Sequence, residues 1–496
     1  VGNHQVGISG FAAYLPPYRV DLQDWCEWTG NDWDKIQNVV GTGFRMMGPA
    51  QSVYTLAATA TLRLIDQYAI DPQRIRFLGL GTESSTDNSA GAVIVKGMID
   101  EAQRQRGKNP ISRNCEVQEV KHACLGGIYA MKNALRFLAL EPPDSVAIVV
   151  SADIAKYDLG SSGESTQGAG AVAMLLERNP RLLEVDLTAC GSASDYRAVD
   201  FRKPMTRPAD GNGSDGTKFH DTPVFNGKYS ISCYLDETLH ALRDMESKLG
   251  QKPTEYYSSL RAVFMHRPYQ QMPIISWGFR YLVGLAHGGK TGNTELAKYC
   301  GSANLQVSDV LAEMHSAPNI LSMALEGDLN RDPYPMTMQL VKHCRDSDWF
   351  KSIIEKQLSL GSDTARELGN VYSASLPAWI AAGLEDALHR DIDLTSQNIL
   401  AIGYGSGDAA EAIPMRVAIP WREATERIKF AAAMGPVENL DQGQYKSLHA
   451  TGYADSLQST QNQAFMVERI GCSSQPNYAD DGIEYYRFVR DDRISA

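Results

Sequence analysis

The 496-residue chain contains no Cys-X-X-Cys pair; its eight cysteines, at positions 26, 115, 124, 190, 233, 300, 344 and 472, lie scattered. That spacing argues against a zinc ribbon or a disulfide framework and for a reducing, cytoplasmic setting. There is no HExxH and no close His/Cys/carboxylate cluster, so no metal is expected. No apolar run approaches the roughly 20 residues that a bilayer requires, and the opening VGNHQVGISGF lacks a signal-peptide core. Basic residues are the minority: 47 Lys and Arg stand against 59 Asp and Glu, a formal charge of −12. A broad nucleic-acid or anionic-membrane surface is thereby disfavoured, while a small basic patch for a phosphorylated substrate is not. Short-period repeats, low-complexity tracts and a recognisable interdomain linker are absent as well.

What is present is ordinary globular composition, 43% hydrophobic and 21% charged, in a chain long enough for two or more structural units. Short apolar runs alternate with helical spacing. VGISGFAAYLP, IRFLGLGTES, SVAIVVSADI and GAGAVAMLLER read as strands, and YTLAATATLRLIDQYAI as a helix. The pattern recurs after a Gly/Asp/Pro-rich stretch from Met205 to Pro223, read as an exposed loop. Helical sequence covers Ile231 to Met245 and much of Gln271 to Gln357, then SASLPAWIAAGLEDAL. LRAVFMHRPY, NILAIGYGSG and IEYYRFVRD read as strands. The order implies an α/β fold with helices covering sheets, and functional residues in such folds gather at strand ends.

The strongest local signal is EVKHACLGGIYAMKNALRFL. Cys124 sits in a small-residue turn at the start of an amphipathic helix, where free N–H groups and the macrodipole favour a thiolate. Three further segments share the format of an apolar strand ending in a polar turn: GLGTESSTD with Glu83, VFMHRPY with His266 and AIGYGSGDAA with Ser406. LGNVYSAS, with Asn370, opens a helix instead. Taken singly, these are a solvated carboxylate, a packed histidine, a tight turn and a helix cap. Together they supply a thiol nucleophile, a carboxylate base, an imidazole to polarise a carbonyl and N–H donors for an oxyanion. Competing motifs fail on spacing, since GYGSG is not GxSxG and GTGFRMMG is not GxGxxG.

At these residues the chain resembles the 3-hydroxy-3-methylglutaryl-CoA synthase family of thiolase-fold condensing enzymes. GTESSTDNS resembles the family's glutamate motif and HACLGG its cysteine motif. SADIAKY with QGAGAVAMLL, DFRKP, NGKYSISCYL, FMHRPY, GNVYSAS and GYGSGDAA follow in the family's order along nearly the whole chain. The resemblance implies a thiolase-like α/β fold of two related halves, residues 1–200 and 201–496, each a mixed sheet packed between helices. Cys124 would be acylated by an acetyl thioester, and Glu83 would remove a methyl proton. The resulting enolate would attack the ketone of a 3-oxoacyl thioester hydrogen-bonded by His266, and hydrolysis would then free Cys124. The N–H groups of Cys124 and Ser406 would bind the acyl oxygen, Asn370 and Tyr372 the second substrate, with Asp153 and Asp200 near the site. Arg202, Lys203, Arg207 and Arg267 would meet a CoA or phosphopantetheine phosphate. No cofactor beyond the thioester substrates is implied, and a homodimer is expected.

The sequence also departs from the family. Leu125 follows the cysteine where the family places Tyr, and Gln270–Pro273 replace the lysines after the histidine motif. GESTQG, with Glu164, stands where an arginine-bearing segment is expected, and the 205–223 loop is long. These changes keep two other enzyme readings open. One is a β-branching synthase of polyketide assembly, acting on carrier-protein-tethered acyl groups, which would need a local basic patch for an acidic carrier. The other is a Claisen-type condensing enzyme. A catalytically silent thiolase-fold subunit is the non-enzyme reading, disfavoured by the presence of Glu83, Cys124 and His266 together.

Overall fold

The computed structural model describes residues 5–206, 218–219, 222–435, 437–457 and 463–489. Ten strands form one mixed sheet: β1 Val6–Tyr14, β2 Ile75–Gly81, β3 Glu116–Val120, β4 Val146–Ala155, β5 Gly168–Arg178, β6 Leu183–Val185, β7 Gly191–Ser194, β8 Leu260–Met265, β9 Asn398–Gly405 and β10 Ala409–Val417. Their spatial order is β8-β9-β10-β6-β1-β5-β4-β2-β3, with β7 also paired to β10. β1 is buried along its whole length, which explains why its sequence is a continuous apolar run rather than an alternating one. β4 and β5 are nearly as buried.

Helices cover both faces. α1, Val53–Gln67, starts with a capping box in which Ser52 and Thr55 satisfy each other's backbone N–H groups. Its small residues pack on β1, β4 and β5. On the opposite side runs α2, Gly126–Leu138, the helix that follows Cys124, with a buried face of Ile128, Met131, Leu135 and Leu138. α2 joins the same core as α3 (Gly227–Lys248), α4 (Gln271–His287) and α5 (Ser375–His389). It therefore lies where the first-half strands meet the second half.

The thiolase-like α/β expectation holds, with one difference in how the halves meet. No break in the sheet falls at residue 200. β6 pairs with β1 through Gly7–Glu184 and Ile8–Leu183, and with β10 through Met415–Val185. β7, before residue 200 in the chain, pairs with β10 of the second half. Among the described residues no helix is long and apolar enough to cross a membrane.

Candidate active site

Each polar turn anticipated from the sequence lies at the end of its strand. Glu83 follows β2, His266 follows β8 and Ser406 follows β9, while Cys124 precedes α2. The Cys124 turn is closely packed. A methyl on Gly127 would lie 1.9 Å from Ser151 Oγ, and one on Gly405 would lie 2.7 Å from His122 O. Glycine at 127 lets α2 approach β4 this closely, and glycine at 405 does the same for β9 and the turn before α2. Ala123, Phe201 and Tyr372 all adopt positive φ (40°, 37° and 42°), a costly conformation for residues bearing a side chain. All three lie at or beside the chamber that holds Cys124, where such strain is commonly stored.

Cys124 is buried against Ala155, Tyr157 and Tyr372, with Phe201 and Phe225 packed on that cluster. The expected resting thiolate is not what this setting favours. Burial first, then the carboxylates of Asp153, Glu83 and Asp200, push the thiol well above its ordinary value, and Lys203 only partly opposes them. Low local dielectric around three acids outweighs the helix end. Cys124 therefore rests as a thiol and must lose its proton as it attacks.

Glu83 is nearly buried, its side chain 7% exposed, and Oε1 lies 2.9 Å from Lys203 Nζ. Its backbone N–H donates to Asp153 Oδ1 at 2.8 Å. Asp153 also accepts from Thr82 Oγ1 (3.0 Å), Ser84 N (3.1 Å) and Ser373 N (2.9 Å), and from the Ser373 hydroxyl. It thereby ties the end of β2 to the 372–374 turn. Burial and the Glu83 charge raise its carboxyl to about 6, although these donors pull the other way.

His266 is fully enclosed. Its backbone N–H donates to Ile402 O and its carbonyl accepts from Tyr234 Oη, both at 2.7 Å. The rings of Tyr234 and Tyr404 lie 6.5 and 6.4 Å from the imidazole. Burial pushes His266 down to about 3, so it is a neutral imidazole, able to donate to a carbonyl but a weak proton acceptor. Asp200 accepts from Ser230 Oγ and, at 2.8 Å, from Tyr404 Oη, which also lies 3.0 Å from Asp408 Oδ1.

The remaining expected residues divide. Asn370 is buried, but its Oδ1 accepts from Tyr372 N (3.0 Å) and Ser375 Oγ (3.2 Å). Its oxygen thus shapes the turn, as a cap would. Lys203 is paired with Glu83 rather than standing free for a phosphate. Arg267 does not fit a phosphate role either. It is buried, 5.1 Å from the Trp379 ring, and donates to Ser362 O and Oγ. Burial, with the nearby Arg366 charge, lowers it to about 9. Arg202 is exposed. Arg207, with most of the 205–223 loop, lies outside the described residues. Sequence reasoning gave no role to Asp408, Tyr404, Ser84 or Ser373. The one available signal was an aspartate inside an otherwise buried glycine-rich turn.

Known proteins resemble this chain in sequence and in fold. Residues 3–180 match the family model described as hydroxymethylglutaryl-coenzyme A synthase N terminal. A hydroxymethylglutaryl-CoA synthase from Haloferax volcanii is 25% identical over 403 residues, 80% of either chain. One from Enterococcus faecalis is 31% identical over 268 residues, 54% of this chain and 62% of its own. The solved structure of MvaS in complex with 3-hydroxy-3-methylglutaryl coenzyme A superposes with a TM-score of 0.72 at 25% identity, covering 99% of this chain and 100% of that one. The chain is thus similar to hydroxymethylglutaryl-CoA synthases, in its first 180 residues by the family model and along nearly its whole length in fold.

Proposed function

We propose that this protein is a hydroxymethylglutaryl-CoA synthase-like acyltransferase that joins an acetyl group to the ketone carbon of a 3-oxoacyl thioester. The observation that carries the reading is the set of opposed environments within one buried region: a protonated Cys124, a lysine-paired Glu83 and a neutral His266. Cys124 Sγ attacks the acetyl thioester, the donor thiol leaves with a proton, and an acetyl-enzyme forms. Glu83 takes a proton from the acetyl methyl. The resulting carbanion equivalent forms the new carbon–carbon bond at the acceptor ketone. A neutral His266 suits donation to the ketone oxygen, which gains negative charge as the bond forms and is then protonated, with Glu83 as the proton source. Water then cleaves the Cys124 thioester, releasing a carboxylate and restoring the thiol. Asn370, Tyr372 and the Ser406 N–H line this reading as binding groups, and the active form is a homodimer.

Two of the four cations expected to meet phosphates, Lys203 and Arg267, are engaged inside the protein. That observation favours testing a carrier-tethered thioester, with one phosphodiester, beside CoA. The experiment is mass spectrometry of the protein after exposure to acetyl-CoA and to acetyl-carrier protein, followed by acetoacetyl acceptors in both forms. An acetyl adduct on Cys124 that disappears in Cys124→Ala supports the reading. No adduct from either donor, or one that survives the substitution, overturns it. Glu83→Gln should still acetylate but lose about 10²–10⁴ in condensation.

A further inference from the structure

Lys203 was expected to meet a substrate phosphate, yet its side chain is only 11% exposed. The segment carrying it is pinned by two backbone bonds between Arg202 and Val224, at 3.0 and 2.8 Å. From there Nζ reaches Glu83 Oε1 at 2.9 Å and sits 5.8 Å from the centre of the Tyr372 ring. Ser84 Oγ lies 3.2 Å from the same Oε1. Among the described residues no hydrogen bond engages Oε2. A cavity of about 640 Å³, lined by Glu83, Lys203, Arg45, Lys156 and His449 among others, opens beside the pair.

Resting on the proposed role of Glu83 as the base, we infer that Lys203 is a positioning residue for the carbon–carbon bond-forming half of the reaction: it anchors one oxygen of Glu83 and fixes the carboxylate's orientation, leaving the other oxygen to meet the substrate methyl. The charged groups around the pair are mixed: Asp153 from β4, the Cys124 thiol and the phenols of Tyr157 and Tyr372 on the inner side, with Arg45, Lys156 and His449 lining the cavity beside it. The ion pair fixes the side-chain rotamer before substrate arrives, so the reacting oxygen needs no search. Lysine suits this task because its single point charge can hold one oxygen without occupying both, as a bidentate arginine would.

The test uses enzyme already acetylated on Cys124, mixed with an acetoacetyl thioester, so that acetylation and condensation are read separately. Lys203→Met and Lys203→Gln should load acetyl within about fivefold of the parent but condense about 10–100-fold more slowly. The loss should fall on kcat, with KM for the acceptor changed by less than about threefold. Lys203→Arg should recover part of the condensation rate. The inference is overturned by equal loss of acetylation and condensation, by a loss confined to KM, or by an arginine variant that condenses no faster than glutamine. Using the arginine and glutamine variants keeps the test intact should methionine prevent folding. A parent protein that takes up no acetyl would instead sink the functional reading, leaving the two failures distinct.

Discussion

Replacing Asp408 with Asn probes how the floor beneath His266 is held together. Tyr404 Oη lies within hydrogen-bond reach of both Asp200 Oδ2 and Asp408 Oδ1, at 2.8 and 3.0 Å. One hydroxyl proton cannot serve two carboxylates, and both are buried. Burial, then the Asp200 charge, pushes Asp408 from 3.8 to about 10. The folded protein therefore keeps a proton on Asp408 that the unfolded chain has released above about pH 4. Across that window the native state binds one more proton, so stability falls as pH rises by about 1.4 kcal/mol per unit. The contribution is complete below 3.8 and lost through about 10. Asparagine retains the shape, can donate to Asp200 without a titrating proton, and can still accept from the Gly407 N–H that Asp408 now uses. Urea unfolding of the two proteins should show the advantage of Asp408→Asn growing by about 4 kcal/mol between about pH 5.5 and 8.5. Arg197 Nε, 3.5 Å from Asp408 Oδ2, offers the competing account. If that guanidinium held Asp408 ionised, the difference between the proteins would not change with pH, and the shared-proton argument would fall. Arg197 is already engaged by Asp236 at 2.6 Å and Glu237 at 2.9 Å, which is why the shared proton is preferred.

Burial and neighbouring carboxylates hold Cys124 protonated, so its alkylation by iodoacetamide should be slow at neutral pH and rise about tenfold per pH unit. Peptide mapping should find exposed Cys472 labelled first; equal labelling at neutral pH would contradict this. Because His266 is neutral down to about 3, the condensation profile should lack an imidazole limb between pH 5 and 8. A limb there that vanishes in His266→Asn would show that the ring titrates during turnover. Gly127→Ala drives a methyl to 1.9 Å from Ser151 Oγ and should cost about 1–3 kcal/mol in unfolding measurements. Adding Ser151→Ala should recover part of that loss, and no recovery would place the strain elsewhere.

The sequence was most legible where one segment buries itself completely. β1, β4 and β5 have continuous apolar runs, and α2 announces its buried face through spacing. β3 was harder because EVQEV is a half-exposed strand at the end of the sheet, with charges among its valines. β10 was hidden by Glu411 and Pro414. Glu411 is tolerated there because Lys132 of α2 meets it in the interior, a pairing between remote parts of the chain. The same physics misplaced Lys203 and Arg267: a basic residue looks like surface until its partner is known, and Glu83 lies far from Lys203 in sequence. Candidate nucleophile, base and imidazole could be read from their turns. The electrostatics that decide their protonation could not, because they depend on Asp153, Asp200 and Asp408 arriving from different strands and turns.

The three-residue strand β6 has a mechanical consequence. Its backbone is bonded to β1 on one side and to β10 on the other, so the strands that end at Glu83, His266 and Ser406 are parts of one plate. Those strands cannot part like jaws around an incoming substrate without tearing that ladder. The Cys124 chamber is instead closed by Tyr157, Phe201, Phe225 and Tyr372 on connecting segments, and it is there that room for a substrate can open.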